Sequence, residues 1–369
     1  MTIRRLFCPL LAVALTISAG LALGEGTGHL FVSSEKDHAV YVLDGETHEI
    51  VKAIRTAARP RHLQFNPERT LIYAACGDGN TIDIIDVAKL ELVDRIGPID
   101  DPEAFDLSPD GRIMYISLED AGALGILDLD RYFDEREEAP ELAVAEVSTA
   151  ADDDLTSEDD EEDEGGEDDE AEMLPGMTTV EVGEEPEGIL VSPDGRLAYV
   201  TSEVANLVHV VDTETLELTA NVLVGNRPRR FALTPDEAEL WVSNELSGSV
   251  SIIDPNSNEV VETIEFLPPG FRPEDVTPVG VTLTADGKTA IVTLGRANHV
   301  AFVDVASREI EDYVLVGNRA WNARLSRDNA TLFVVNGLSD DVPVIDVASR
   351  KTTKSIPAGR VPYAVLIDD

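Results

Sequence analysis

Cysteine is nearly absent: Cys8 and Cys76 are the only two among 369 residues. Cys8 lies in an N-terminal stretch that reads as removable, so one thiol remains and no internal disulfide staples the fold. No Cys-x-x-Cys-His occurs, which excludes covalent c-type haem. Lysine is scarce, six against 22 arginines, and 72 acidic residues outnumber 28 basic ones for a net charge of -44. That sign excludes nucleic-acid binding and anionic membranes as partners. Acidic excess with little lysine resembles proteins from salty habitats, so part of the charge is solubility chemistry. The six histidines, His29, His38, His48, His62, His209 and His299, show no H-x-H or HExxH spacing, so no histidine metal site is expected. No G-x-S-x-G elbow is present, which opposes a serine hydrolase.

Long apolar runs are also missing, with one exception. Residues 6–23 are apolar apart from Cys8, Thr16 and Ser18, follow Arg4-Arg5, and end in Ala22-Leu23-Gly24. This is the pattern of a signal peptide over 1–24, implying export and a periplasmic location. An N-terminal anchor is the alternative, but small residues close the run where a stop-transfer signal would stand. About 345 residues follow, enough for a sizeable core without staples.

What is abundant is repetition. An apolar strand, a Ser-Pro-Asp-Gly-like turn, a second strand, a polar loop and a strand ending in Asp recur along the chain. The turns include Ser108-Pro109-Asp110-Gly111, Ser192-Pro193-Asp194-Gly195, Thr234-Pro235-Asp236 and Thr284-Ala285-Asp286-Gly287. Proline presets φ early in such a turn and glycine accepts positive φ later. The strand-ending aspartates are Asp44, Asp86, Asp128, Asp212, Asp254, Asp304 and Asp346, at intervals of 42, 42, 84, 42, 50 and 42 residues. One period holds four short alternating strands, as at 188–191, 197–201, 208–211 and 218–222, which is a propeller blade. Seven aspartates predict an all-β, seven-bladed β-propeller with four antiparallel strands per blade, spanning 25–369. The N-terminal blade has three strands of its own, 30–33, 40–43 and 50–54, and the C-terminus has one spare at 363–367. The C-terminal strand is therefore expected to complete the N-terminal blade and close the ring.

The repeat resembles the YVTN β-propeller family, whose signature stands at Tyr199-Val200-Thr201-Ser202 and as Trp241-Val242-Ser243-Asn244. The segments 31–37, Asn226-Arg227-Pro228-Arg229, 240–243 and 314–319 are similar to those of the PQQ-dependent catabolism-associated β-propeller proteins. Those are exported propellers of bacteria that use pyrroloquinoline quinone in alcohol oxidation. The resemblance implies a role beside a periplasmic quinoprotein dehydrogenase or a cytochrome. It implies PQQ by association only, because it does not make this chain bind the quinone. The acidic insertion departs from that pattern.

Alignment on the turns puts Arg61, Glu103, Glu187, Arg229, Val279, Trp321 and Tyr363 at one position around one channel mouth. Arg59, Asp101, Glu185, Arg227, Thr277, Arg319 and Val361 stand two positions earlier, with His62 and Arg230 beside them. The candidate binding mouth is thus Arg59, Arg61, His62, Glu103, Glu187, Arg227, Arg229, Arg230, Arg319, Trp321 and Tyr363. Arginines can clamp carboxylates while Trp321 and Tyr363 stack on a planar ring. The plainer alternative makes Arg61–Glu103 and Glu187–Arg229 ion pairs between neighbouring blades, taken as exposed and worth under about 1 kcal/mol each. The stiff segment Pro268-Pro269-Gly270-Phe271-Arg272-Pro273 reads as a flap over the mouth or an inert loop.

Residues 132–176 form an acidic insertion in the third blade, with 15 carboxylates in the 21 residues 152–172. Such a run cannot bury apolar area and is expected to be disordered, at the mouth opposite the arginines. It offers weak Ca²⁺ buffering or docking on a basic partner, but lacks the D-x-D-x-D-G spacing of a calcium loop. The reading is an accessory or binding propeller of quinoprotein-linked alcohol oxidation or electron transfer, leaning away from an enzyme. The alternatives are a lactonase-like hydrolase using the mouth arginines, His62 and Glu103 or Glu187, and a generic interaction scaffold.

Overall fold

The structure is a computed structural model, and it describes residues 26–138 and 174–369. Seven sheets, each of four antiparallel strands, form the ring. Blade 4 is representative: Pro186–Val191 lines the channel, and Leu197–Ser202, Leu207–Asp212 and Leu218–Leu223 follow outward. In blade 1 the innermost strand is Pro362–Asp368, paired antiparallel with His29–Ser34, Leu30 opposite Ile367 and Val32 opposite Val365. Ring closure is therefore as the spare strands predict. Asp368 fastens it, accepting from the Thr27 amide and hydroxyl at 2.7 Å and from Arg69 at 3.0 Å.

Alternating apolar residues make each sheet two-faced, and every blade buries both faces against its neighbours. Seven apolar clusters result, such as Phe31, Val40, Ile72 and Ile85 between blades 1 and 2. The repeated Asp closes an Asx turn, as where Asp304 Oδ1 accepts from the Ser307 amide at 2.7 Å and hydroxyl at 2.8 Å.

The third YVTN position has its own task. Thr201 Oγ1 accepts from the Gly188 amide of its own inner strand at 2.7 Å and donates to the Arg229 carbonyl of the next blade at 3.4 Å. Ser33, Ser117, Ser243 and Thr293 make the same clasp, donating to the carbonyls of Arg61, Glu187, Val279 and Trp321. Blades 2 and 7 carry Ala75 and Val335 there instead. A buried hydroxyl that satisfies two backbone groups locks neighbouring blades in register.

The acidic insertion requires a correction at its start. Leu129–Glu138 is a helix, so the irregular segment does not begin at 132. Leu129, Tyr132 and Phe133 share one helical face, and the first two are buried against blades 2 and 3. Arg136 reaches Asp94 at 2.5 Å. Charge composition concealed this short apolar periodicity. Leu174 is buried as the chain returns to the outer strand Met177–Glu181. The acidic core 152–172 and the segment 1–24, expected to be a signal peptide, lie outside the described residues. No helix among the described residues is long and apolar enough to cross a membrane.

Candidate functional site

Each inner strand starts on the upper face, after a residue that adopts positive φ in six of the seven blades: Arg59, Asp101, Glu185, Arg227, Arg319 and Val361. This conformation is costly for such side chains, and neighbouring turns hold it. The Arg227 amide donates to Asn206 Oδ1 at 2.9 Å, and that of Arg319 to Asn298 Oδ1 at 3.0 Å. Proline follows in most blades, and the next residue enters the mouth: Arg61, Glu103, Glu187, Arg229, Val279, Trp321 and Tyr363.

The predicted residues come together more closely than a ring around an opening. Arg61 pairs with Glu103 and with Glu35 at 3.2 Å, while its guanidinium lies 4.3 Å from the Tyr363 ring centre. Arg59 holds the same Glu103 and also Asp78 at 3.0 Å and Asp101 at 3.3 Å. Across the channel, Glu187 takes Arg229 at 3.1 Å and Arg230 at 2.8 Å. Tyr363, from blade 1, reaches to the far side: its hydroxyl donates to Glu187 at 3.2 Å and accepts from Arg230 at 2.6 Å. The upper mouth is spanned by this tyrosine.

A second column of acids, missed in the sequence, completes the network. Glu35, Glu119, Glu203 and Glu245 stand just beyond the second strands of blades 1, 3, 4 and 5, at the same 42-residue spacing or its double. Glu203 pairs with Arg229 and with Arg227 at 2.5 Å. Glu245 takes Arg227 at 3.5 Å and Arg319 at 3.3 Å. Glycine fills this column in blades 2, 6 and 7. At Gly337 a Cβ would stand 2.2 Å from Trp321 Nε1, so the indole lies against its backbone. Arg319 covers Trp321 at 4.3 Å, and Trp321 meets Tyr363 at 5.7 Å between ring centres. The spacing signal for the glutamates was available, but a lone Glu per repeat reads as surface charge.

Burial tunes these groups. It opposes ionisation of Glu187, yet Arg229, Arg230, Arg61 and the Tyr363 hydroxyl hold that carboxyl well below its ordinary range. Burial, reinforced by the charge of Glu187, pushes Glu203 up to about 7 against Arg229 and Arg227. His62 sits inside the channel with its ring edge-on to Phe105, 4.9 Å between centres. Burial, then the charges of Arg230 and Arg324, lower it to about 3, so it is neutral and a very weak base. Asp101, Glu103 and Glu119 converge closely enough to suggest a cation, but Arg59 and Arg61 already neutralise that corner. The stiff segment docks on blade 6: Phe271 meets His299 at 5.3 Å and the Leu267 amide donates to the Tyr313 hydroxyl at 3.0 Å.

Solved structures share this architecture. The Pseudomonas aeruginosa periplasmic gluconolactonase PpgL is similar at 20% identity and a TM-score of 0.67, over 92% of this chain and 99% of that one. A functionally unknown protein from Desulfotomaculum acetoxidans is similar at 15% identity and 0.68, over 93% and 100%. The dihydro-heme d1 dehydrogenase NirN is similar at 18% identity and 0.63, over 92% and 75%. These likenesses define the class, a seven-bladed β-propeller. No family model and no curated protein matches the chain.

Proposed function

We propose that the chain is an exported accessory propeller whose upper face docks a basic protein partner, in the setting implied by its resemblance to the PQQ-associated propellers. The partner class is then a periplasmic quinoprotein dehydrogenase or a cytochrome, and PQQ belongs to the partner. The state of the upper face carries this reading. The predicted arginines Arg59, Arg61, Arg227, Arg229, Arg230 and Arg319 are paired with carboxylates, and Tyr363 spans the channel. Around this polar floor three apolar side chains stand out at one repeat position: Val204, Leu246 and Leu338, 51%, 58% and 70% exposed. Apolar anchors ringed by charge suit a protein interface better than a carboxylate clamp. The net charge of -44 attracts basic surfaces to the protein as a whole. The test is capture from the periplasm of alcohol-grown and sugar-grown cells. Wild type is expected to retain a dehydrogenase or cytochrome that the double variant Leu246→Asp/Leu338→Asp releases. Recovery of neither from any culture sinks the reading.

Lactone hydrolysis is the second reading, favoured by one pocket. Glu203, Arg227, Glu185 and Asn226 line a cleft of about 420 Å³ on the upper face. A carboxyl titrating near 7 suits proton transfer at neutral pH, and Arg227 beside it suits a developing oxyanion. The shared architecture of the periplasmic gluconolactonase supports this choice of substrate class. Gluconolactone opening above the spontaneous rate, abolished in Glu203→Gln, is the expected result; a rate equal to buffer alone overturns it.

A further inference from the structure

The inner-strand residues three places below the mouth column are Gln64, Asp106, Leu190, Ala232, Thr282, Arg324 and Leu366. One anion and one cation occur in this layer. Asp106 is fully engaged: it accepts from Gln64 Nε2 at 2.7 Å and from the Leu107 and Val191 amides at 2.8 Å. Arg324 is not. Among the described residues no carboxylate lies within 4 Å of its guanidinium, and no protein group accepts a hydrogen bond from it. Its neighbours in the layer, Thr282 and Leu366, bring no charge. Its side chain is exposed to solvent.

Arg324 opens into a lower-face pocket of about 190 Å³, lined also by Phe65, Arg69, Arg327, Leu366 and Asp369. Arg69 is fixed there by Asp368 at 3.0 Å and by the Phe65 ring at 4.2 Å. The Asp369 carboxylate accepts from the Arg327 amide at 2.7 Å. Arg324 therefore faces a second guanidinium; the surrounding protein and the charge of Arg69 disfavour its ionised form, against the favourable charge of Asp106.

We infer that the lower mouth is a binding site for a compact oxyanion, phosphate or a short carboxylate, held in bidentate fashion by Arg324 beside Arg69, whose own charge Asp368 already meets. The planar donor fork of arginine matches such ions, and the pocket volume limits the ligand to a few heavy atoms. The site is independent of the upper face and of either function proposed there.

Melting of the full chain in phosphate, sulfate, acetate and chloride at equal ionic strength tests this, with calorimetry for affinity. Oxyanions also stabilise proteins non-specifically, so the comparison between variants decides. Wild type and the surface control Arg196→Gln are expected to gain stability from phosphate or acetate over chloride. Arg324→Gln is expected to lose that increment and at least tenfold in affinity. In chloride alone it should melt close to wild type, because Arg324 is exposed and has no ion-pair partner to lose. An equal increment in Arg324→Gln overturns the inference. Should that variant fail to fold, the ³¹P linewidth of phosphate titrated with wild type decides: broadening reversed by sulfate supports the site, and none overturns it.

Discussion

The two ends of the channel use arginine in opposite ways. At the upper end, six predicted arginines meet a crowd of carboxylates and the floor is electrostatically complete. At the lower end, Arg324 has no carboxylate within 4 Å among the described residues, and Asp106 of its layer is engaged elsewhere. The same residue type is a structural fastener in one place and an unfinished contact in the other. What differs is where the acids are directed: Glu35, Glu203 and Glu245 at the upper turns reach the mouth arginines, whereas the aspartates repeated at the lower turns, such as Asp304, close their own turns. An ion-pair partner, not an arginine, distinguishes scaffold from site.

The largest effect should come from breaking both ends at once. Deleting 361–369 removes Tyr363 from the upper floor, Leu366 and Asp369 from the lower pocket, and the innermost strand of blade 1. Two sheet edges are then exposed. The expected outcome in a thermal melt is loss of the cooperative transition or aggregation; a truncated chain melting within a couple of degrees of wild type contradicts ring closure. Next comes Arg229→Ala. The pairs at this level are buried, so the small value expected of exposed pairs does not apply. Leaving Glu187 and Glu203 without Arg229 should cost about 3–5 kcal/mol in denaturant unfolding. Arg324→Gln, its counterpart at the lower end, should cost nothing in chloride. If the two variants lose equal stability, the contrast between the ends fails.

The blade count, the ring closure and the membership of the mouth were legible because strand period and turn chemistry repeat every 42 residues. The pairing state was not. Arg61 and Glu103 occupy the same column, but whether they face ligand or each other depends on side-chain reach across a channel that strand spacing alone does not measure. Tyr363 contacting Glu187 from the opposite blade is the clearest case. The helix at Leu129–Glu138 was hidden for a different reason: three apolar residues within an acidic stretch carry little compositional weight, yet one helical turn puts them on one face.

The clasp hydroxyls give a smaller and more local perturbation. Ser243→Ala removes the donor to the Val279 carbonyl and the acceptor of the Arg230 amide between blades 5 and 6. The expected loss is about 1–3 kcal/mol, the range for buried groups left unsatisfied. Ala75 and Val335 show that a blade can do without the hydroxyl, so Ser243→Ala should remain folded. Chemical denaturation of the variant checks both statements.

The last comparison separates the two ends by pH. Glu203 has a folded-state value near 7 against an ordinary 4.5. Between those values the folded chain binds the proton and the unfolded chain does not, so this group makes stability fall as pH rises from about 4.5 to 7. Glu187 acts in the other direction. Its carboxyl is held low, so its contribution is present above 4.5 and is lost as pH falls below that value. Wild type should therefore lose stability on both sides of a mildly acidic optimum. Glu203→Gln keeps a neutral hydrogen-bonding side chain at the same place and removes the proton. Its melting temperature should stay flatter than that of wild type from pH 5 to 7.5, while the acid limb remains. Arg324→Gln should keep the wild-type slope over that range, because its charge does not change there. Parallel slopes for wild type and Glu203→Gln would show that Glu203 is fully ionised at neutral pH. The proton-transfer role in lactone opening would then lose its support, while the paired-arginine floor and the docking reading would stand.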